Sequence, residues 1–121
     1  MATYNFGNTP TTATVTNITT VTSGTGDDVI TVSGTVTGAV VDLGGGTDQL
    51  RFGSASTATV RNVETITGSA TNDTVVLGSE STGGLIDLGI GIDTLRLGAY
   101  DNTVSVTNTE SIVGNTGDDV V

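Results

Sequence analysis

The sequence predicts an all-β fold: a parallel β-solenoid, of the β-roll or β-helix kind, with about 20–25 residues in each coil. Three observations predict it. The 121-residue chain repeats itself at a shift of 45 or 46 residues, glycine-aspartate turns recur five times, and threonine and valine fill the segments between them. Threonine and valine are β-branched and favour strands, whereas glycine permits tight turns, so long helices are not expected.

The long repeat covers nearly the whole chain after residue 12. Residues 57–67 repeat residues 12–22 at a shift of 45, and residues 103–113 repeat them again at 46. Self-similarity at a fixed period is typical of solenoids, in which each unit buries its apolar face against the next. The sequence therefore predicts one domain, residues 1–121, made of two 45- or 46-residue repeats and part of a third, either a fragment of a longer array or a unit that polymerises.

A shorter glycine-rich turn motif that ends in aspartate lies inside the long repeat. Its five aspartates are separated by 20, 25, 20 and 26 residues: Asp28, Asp48, Asp73, Asp93 and Asp119. If each interval is one coil, all five aspartates stack on one edge of the solenoid, which is the arrangement we favour. The residue before the aspartate alternates between Asp or Asn and Thr or Ile, so an arrangement with the two kinds of turn on opposite edges remains an alternative. Three apolar columns are then expected inside: Ile30, Leu50, Val75, Leu95 and Val121; Val32, Phe52, Leu77 and Leu97; and Val41, Ile66, Ile86 and Ile112.

Other polar residues recur at fixed places in the long repeat. Asparagines that we expect to cap a bend are Asn17, Asn62 and Asn108. Asp42 and Asp87 are expected to face solvent or cap a turn, and Glu64 and Glu110 to face solvent.

The charge of the chain excludes some partners. Thirteen acidic residues against three arginines and no lysine give a net charge of −10, which repels nucleic acid and anionic membranes. Neither a signal peptide nor an apolar run of about 20 residues is present, so membrane insertion is not expected. Histidine and cysteine are absent, which removes the usual zinc ligands.

A column of stacked aspartates calls for a cation. Carboxylates about 5 Å apart repel by roughly 1 to 3.5 kcal/mol for each neighbouring pair, depending on the effective dielectric constant. Arg51 and Arg96 lie beyond the turns, in the strands that follow, so they do not neutralise the column. A divalent cation is the expected partner.

The five turns resemble the nonapeptide repeats of the RTX family, the haemolysin-type calcium-binding repeat proteins. The resemblance implies calcium bound between stacked coils by aspartate carboxylates and carbonyls of the glycine region. Carried over by position, the implied ligands are Gly24, Gly26, Asp27, Asp28, Gly44, Gly46, Asp48, Asn72, Asp73, Gly89, Gly91, Asp93, Gly117, Asp118 and Asp119. Ser69 and Thr71 replace two glycines of the third copy, so its turn is expected to be reshaped and its ion weak or missing.

The resemblance also implies an extracellular or cell-surface location, as in bacterial surface-layer proteins, adhesins or filaments. The expected function is structural, with calcium-dependent folding and end-to-end self-association or continuation in a longer array. An enzyme, such as a calcium-dependent polysaccharide-acting β-helix, is disfavoured because nearly every candidate acidic residue is duplicated in the next repeat. A threonine-rich recognition or ice-binding surface remains the alternative, although the sequence shows no regular two-rank threonine array.

Overall fold

The computed structural model describes residues 2–121, which form an all-β parallel solenoid without a helix. The predicted fold class is confirmed. Thirteen strands follow one another along the chain: β1 (Ala2–Asn5), β2 (Thr12–Thr16), β3 (Ile18–Thr22), β4 (Val29–Ser33), β5 (Val36–Asp42), β6 (Gln49–Phe52), β7 (Ser56–Arg61), β8 (Thr65–Thr67), β9 (Thr74–Leu77), β10 (Thr82–Asp87), β11 (Thr94–Arg96), β12 (Thr103–Thr107) and β13 (Ser111–Val113). Residues 2–121 contain no helix of the length and apolarity needed to cross a membrane.

Successive strands alternate between two sheets. The odd-numbered strands form a seven-stranded sheet and the even-numbered strands a six-stranded sheet, each in chain order. One coil is therefore one strand from each sheet with two turns. Leu50 pairs with Ile66 and Ile66 with Ile86, so neighbouring coils are 16 and 20 residues apart. The 20-residue aspartate intervals are single coils, but the 25- and 26-residue intervals are longer than any coil.

The long repeat exchanges the two sheets. A shift of 45 residues carries β4, in the six-stranded sheet, onto β9, in the seven-stranded sheet. Each repeat contains five strands, an odd number, and therefore spans two and a half coils. The prediction that all five aspartates share one edge is wrong for this reason: Asp28, Asp48 and Asp119 precede strands of one sheet, whereas Asp73 and Asp93 precede strands of the other.

The core lies between the sheets and consists of aliphatic columns. In the six-stranded sheet, Ile30 pairs with Leu50, and Leu50 with Ile66. In the seven-stranded sheet, Val75 pairs with Leu95. The residues predicted to lie inside are buried, apart from two in the last coil. The predicted columns are wrong in their membership, because the predicted coil was too long and residues of different sheets were placed in one column. The two exceptions are Ile112 and Val121, which are 41% and 60% exposed.

The recurrent asparagines occupy bends between strands. Asn17, Asn62 and Asn108 adopt left-handed φ angles of 51°, 53° and 48°. Asparagine tolerates this conformation better than other residues with a side chain. The Nδ2 atom of Asn62 donates to Oδ1 of Asp42 at 2.8 Å. The same Asp42 oxygen accepts from the Gly44 amide at 3.1 Å. The bend-capping role of the asparagines and the turn-capping role of Asp42 are confirmed.

The core predicts a contrast between two aliphatic residues. Leu50 is completely buried, so Leu50→Ala leaves a cavity and should lower the free energy of unfolding by about 2–5 kcal/mol. Ile112→Ala serves as the control because its side chain is 41% exposed. Urea denaturation followed by circular dichroism measures both, and equal losses would contradict the assignment of the core.

Candidate metal sites at the solenoid edges

The candidate sites lie where the chain enters each sheet. We call the side at which it enters the six-stranded sheet the first edge, and the opposite side the second edge. One polar residue stands directly before most strands, and the equivalent residues of successive coils stack. The first-edge run is Thr11, Asp28, Asp48 and Glu64. The second-edge run is Ser56, Asp73, Asp93 and Glu110.

Hydrogen bonds from one coil to the next connect the first-edge run. The Thr11 amide donates to Asp28 Oδ1, the Asp28 amide to Asp48 Oδ1, and the Asp48 amide to Glu64 Oε2, each at 2.8 Å. Each carboxylate thus accepts the last N–H before the strand of the preceding coil. A buried N–H left unpaired is costly, and a charged acceptor makes a stronger bond than a neutral one.

The second-edge run has the same arrangement, as the 45-residue repeat requires. The amides of Ser56, Asp73 and Asp93 donate to the carboxylates of Asp73, Asp93 and Glu110 at 2.8, 2.7 and 2.8 Å. A third run begins on the first edge at Ser81, whose amide donates to Asn102 Oδ1 at 3.0 Å, and the Asn102 amide donates in turn to Asp119 Oδ1 at 3.2 Å. Asp119 is only half-buried there.

Sequence analysis missed the two glutamates. Glu64 and Glu110 were expected to face solvent, and Glu110 is indeed exposed whereas Glu64 is half-buried, but each also ends a run by accepting from the aspartate amide of the preceding coil. A signal was present: Glu64 stands two residues before the buried Ile66, as Asp48 stands two residues before Leu50. Glu64 does not resemble the aspartate turns in sequence because no glycine-rich turn precedes it.

Three aspartates carry a buried oxygen without a partner. Asp28, Asp48 and Asp93 are 0% exposed, and the Oδ2 atom of each accepts no hydrogen bond. Burial raises the pKa of Asp48 to about 6, assisted by the negative charges of Glu64, Asp28 and Asp27 and opposed by the Asp28 amide. Burial likewise raises the pKa of Asp93, again opposed by an amide, that of Asp73. An unpaired, buried carboxylate oxygen is costly, so these atoms need a proton or a cation.

The glycines of the turns are required by the stacking of the coils. Gly44 and Gly46 have φ angles of 81° and 133°, and a Cβ atom on either would collide with the carbonyl oxygen of Gly24 or Gly26 in the neighbouring coil. The same close approach recurs where a Cβ on Gly89 would meet the Ser69 carbonyl. Gly91 and Gly117 likewise have positive φ angles and lie against the backbone of the preceding coil. These contacts explain the glycines without a metal ion.

The residues before the aspartates form a second, more exposed set of bonds. Asp27 Oδ1 accepts from the Thr47 amide at 2.9 Å, and Asn72 Oδ1 accepts from the Ile92 amide at 2.8 Å. Thr47 and Ile92 contribute only their backbone amides to these bonds. This explains why the residue before the aspartate is an acceptor in one turn and threonine or isoleucine in the next. Asp118 instead donates its amide to Asp101 at 2.9 Å. Asp27, Asn72 and Asp118 are all exposed, and of the three Asp27 and Asn72 have this acceptor role.

The structure brings together the aspartates of each edge but does not close a cage of side chains. Within residues 2–121, no group of three or more acidic side chains is placed to hold a metal ion. A cation between Asp28 and Asp48 would therefore need backbone carbonyls as further ligands. The orphaned Oδ2 atoms and the backbone carbonyls of the glycine turns are oxygen donors of the kind that calcium accepts.

The raised pKa of Asp48 predicts a pH dependence of stability in chelator. The pKa is about 6 in the folded protein against 3.8 ordinarily, so the folded state binds this proton more tightly than the unfolded state. The stability that this proton contributes is fully present below pH 3.8 and is lost as the pH rises through 6. The free energy of unfolding therefore falls by about 3 kcal/mol across this range. Urea unfolding between pH 4 and 7.5 measures it.

Two variants isolate the contribution of Asp48 to this pH dependence. Asp48→Asn removes the titrating group and should flatten the loss of stability between pH 4 and 7. Asp118→Asn removes one exposed carboxylate as the control and should leave the slope nearly unchanged. Parallel curves for wild type and Asp48→Asn would contradict the role assigned to burial.

Comparison of the chain with protein-family models, with curated proteins and with solved structures finds no significant match. The interpretation of the two edges therefore depends on their geometry and on the motif resemblance.

Proposed function

We propose that this β-solenoid is a calcium-binding structural module whose folding is stabilised by calcium. The observation that supports it best is the pair of stacked aspartates on the first edge, Asp28 and Asp48. Both are completely buried, and each has one carboxylate oxygen without a hydrogen-bond donor. Two neighbouring carboxylates in this state need a positive charge between them.

A proton is a poor partner at neutral pH. The pKa of Asp48 is raised only to about 6, so at pH 7 most molecules have lost this proton. The three arginines are also unsuited, because Arg51, Arg61 and Arg96 are exposed in or at the ends of strands. A divalent cation bound to carboxylate and carbonyl oxygens removes the repulsion more completely.

Calcium is the cation that fits these donors best. It accepts six to eight hard oxygen ligands in adaptable geometry, whereas magnesium demands a near-ideal octahedron and keeps much of its water. The resemblance of the glycine-x-glycine-x-aspartate turns to RTX repeats supports the same ion. Chemically, bound calcium would supply charge compensation between Asp28 and Asp48, and backbone carbonyls of the Gly24 and Gly44 turns would be its further ligands.

The proposed role is structural, in an exported protein of a cell surface such as a surface layer, adhesin or filament. Sites of this kind in extracellular modules bind calcium weakly, in the range of its concentration outside cells, so folding would follow export. We assign no catalytic role, because the acidic run of one edge recurs at the other edge instead of forming a unique constellation.

The last coil supports association with a further coil. Its aliphatic residues Ile112, Val113 and Val120 are 41%, 37% and 62% exposed. Apolar surface and strand edges of this kind pair readily with another coil, from a longer array or from a second copy of the chain. End-to-end association is therefore part of the proposal.

A threonine-rich recognition surface is the second candidate, and one observation favours it. On the outer face of the seven-stranded sheet, five hydroxyl residues stack in register: Thr37, Thr57, Thr74, Thr94 and Ser111. This column was not expected, because the expected coils were too long. The adjacent outward column contains Thr59, Val76 and Arg96, so a regular second rank is not formed.

Calcium titration tests the main proposal. In chelator at pH 7 the wild type should lose strand signal in circular dichroism or unfold at a lower temperature, and millimolar calcium should restore it where equal magnesium does not. Asp28→Asn/Asp48→Asn should strongly reduce the response to calcium, whereas the exposed Asp118→Asn should keep it in full. A wild type equally stable in chelator and calcium would overturn the calcium proposal.

Light scattering tests association. The calcium-bound chain should form species larger than a monomer in a concentration-dependent way, and Ile112→Asp/Val120→Asp should reduce their mass because charged residues would interrupt the exposed apolar end. The exposed Leu85→Asp, on the outer face of a sheet, is the matched control. A wild type that stays monomeric at all concentrations would contradict end-to-end association.

A further inference from the structure

We propose that the two edges bind calcium with unequal affinity and that Ser69 sets the difference. The inference depends on the proposed calcium function and extends it to the roles of particular residues. The two runs are related by the 45-residue repeat, Asp28 and Asp48 corresponding to Asp73 and Asp93. Equal sites would be expected from this relation alone.

On the first edge both aspartates have a free oxygen. The Oδ2 atoms of Asp28 and Asp48 have no hydrogen-bond partner, and both residues are completely buried. The turn before Asp28 carries glycine at positions 24 and 26, so the counterparts of Ser69 and Thr71 have no side chain to donate to the carboxylate. A cation there has two carboxylate oxygens without competing donors.

On the second edge Ser69 already occupies one of the two carboxylates. The Ser69 amide donates to Asp73 Oδ2 at 2.7 Å, and the Ser69 hydroxyl lies 2.9 Å from the same atom. The hydroxyl has a single proton, and its other possible acceptors, Thr71 Oγ1 at 3.0 Å and the Thr71 carbonyl at 3.1 Å, are farther away and uncharged. Only Asp93 keeps an unpaired Oδ2 on this edge.

Thr71 keeps the turn in the shape that allows these bonds. Its counterparts Gly26 and Gly91 have φ angles of 126° and 150°, whereas Thr71 does not adopt a positive φ. The Thr71 amide instead donates to the Ser69 hydroxyl oxygen at 3.2 Å. The expected reshaping of the third turn is confirmed, and its consequence is a hydrogen-bond donor placed where the first edge has none.

The difference in available oxygens predicts the difference in affinity. Calcium affinity follows the number of charged ligands and the rigidity of the site. A cation on the second edge must either bind with one unpaired carboxylate oxygen, Oδ2 of Asp93, or compete with the Ser69 amide and hydroxyl for Oδ2 of Asp73. The first edge is therefore the stronger site, and the second edge is partly satisfied without metal.

Calorimetric calcium titration at pH 7 with single-edge variants tests the inference. Wild type should show two classes of site that differ by about tenfold or more. Asp48→Asn should remove the strong class and Asp93→Asn the weak class. Ser69→Gly/Thr71→Gly restores the glycine pattern of the other turns and should strengthen the weak class toward the strong one, while Ala70→Gly, an exposed change in the same turn, should leave both classes unchanged.

Ser69→Ala provides a variant that alters the backbone of this turn least. It removes the hydroxyl from Asp73, so it should lower the unfolding temperature in chelator and strengthen the weak class. One class of equal sites in wild type, or a weak class that neither Ser69→Ala nor the double variant changes, would overturn this inference alone. A wild type that binds no calcium would overturn the proposed function instead.

Discussion

The whole structure depends on pairing each coil with the next through the backbone, including at the two edges where the strands begin. At those edges the N–H directly before a strand donates to a side-chain oxygen of the next coil and not to a strand carbonyl. The Asp28 amide donates to Asp48 in this way, and the Asp48 amide to Glu64. The acceptor must lie inside the stack to reach that N–H. A carboxylate in this position becomes buried, so the same geometry that closes the ladder creates the unpaired Oδ2 atoms.

The carboxylate runs link stability to charge. One oxygen of each buried aspartate is fully used by the fold, whereas the other is left for a proton, a cation or a neighbouring hydroxyl. The structure contains two of these solutions in its own residues: a raised pKa at Asp48 and a serine hydroxyl at Asp73. Calcium is the proposed third, and it is the solution best suited to neutral pH because it removes the repulsion between Asp28 and Asp48.

Glycine and aspartate in the turns answer different requirements. Gly44 and Gly46 are needed because a Cβ atom would strike the carbonyls of the coil beside them, whatever the ion content. Asp48 serves both the ladder and, by our proposal, the ion. A glycine-aspartate motif by itself therefore indicates a stacked turn, and only the unpaired buried oxygen distinguishes a turn that favours a cation from one that does not.

The sequence alone is sufficient to predict the solenoid, the five aspartate turns, the asparagine bends and the aliphatic residues of most of the core, because each depends on local conformation or on a repeated pattern. It did not determine which turns share an edge. That depends on the number of strands in each repeat, and on bulges such as those at Gly38 and Gly83 that add a residue to a coil. The roles of Glu64 and Glu110 likewise depend on the tertiary structure, because a hydrogen bond between coils depends on which residues the stacking places 16 to 20 positions apart. Ser69 donates to Asp73, four residues along the same turn, so its role depends on the conformation that this turn adopts at Thr71.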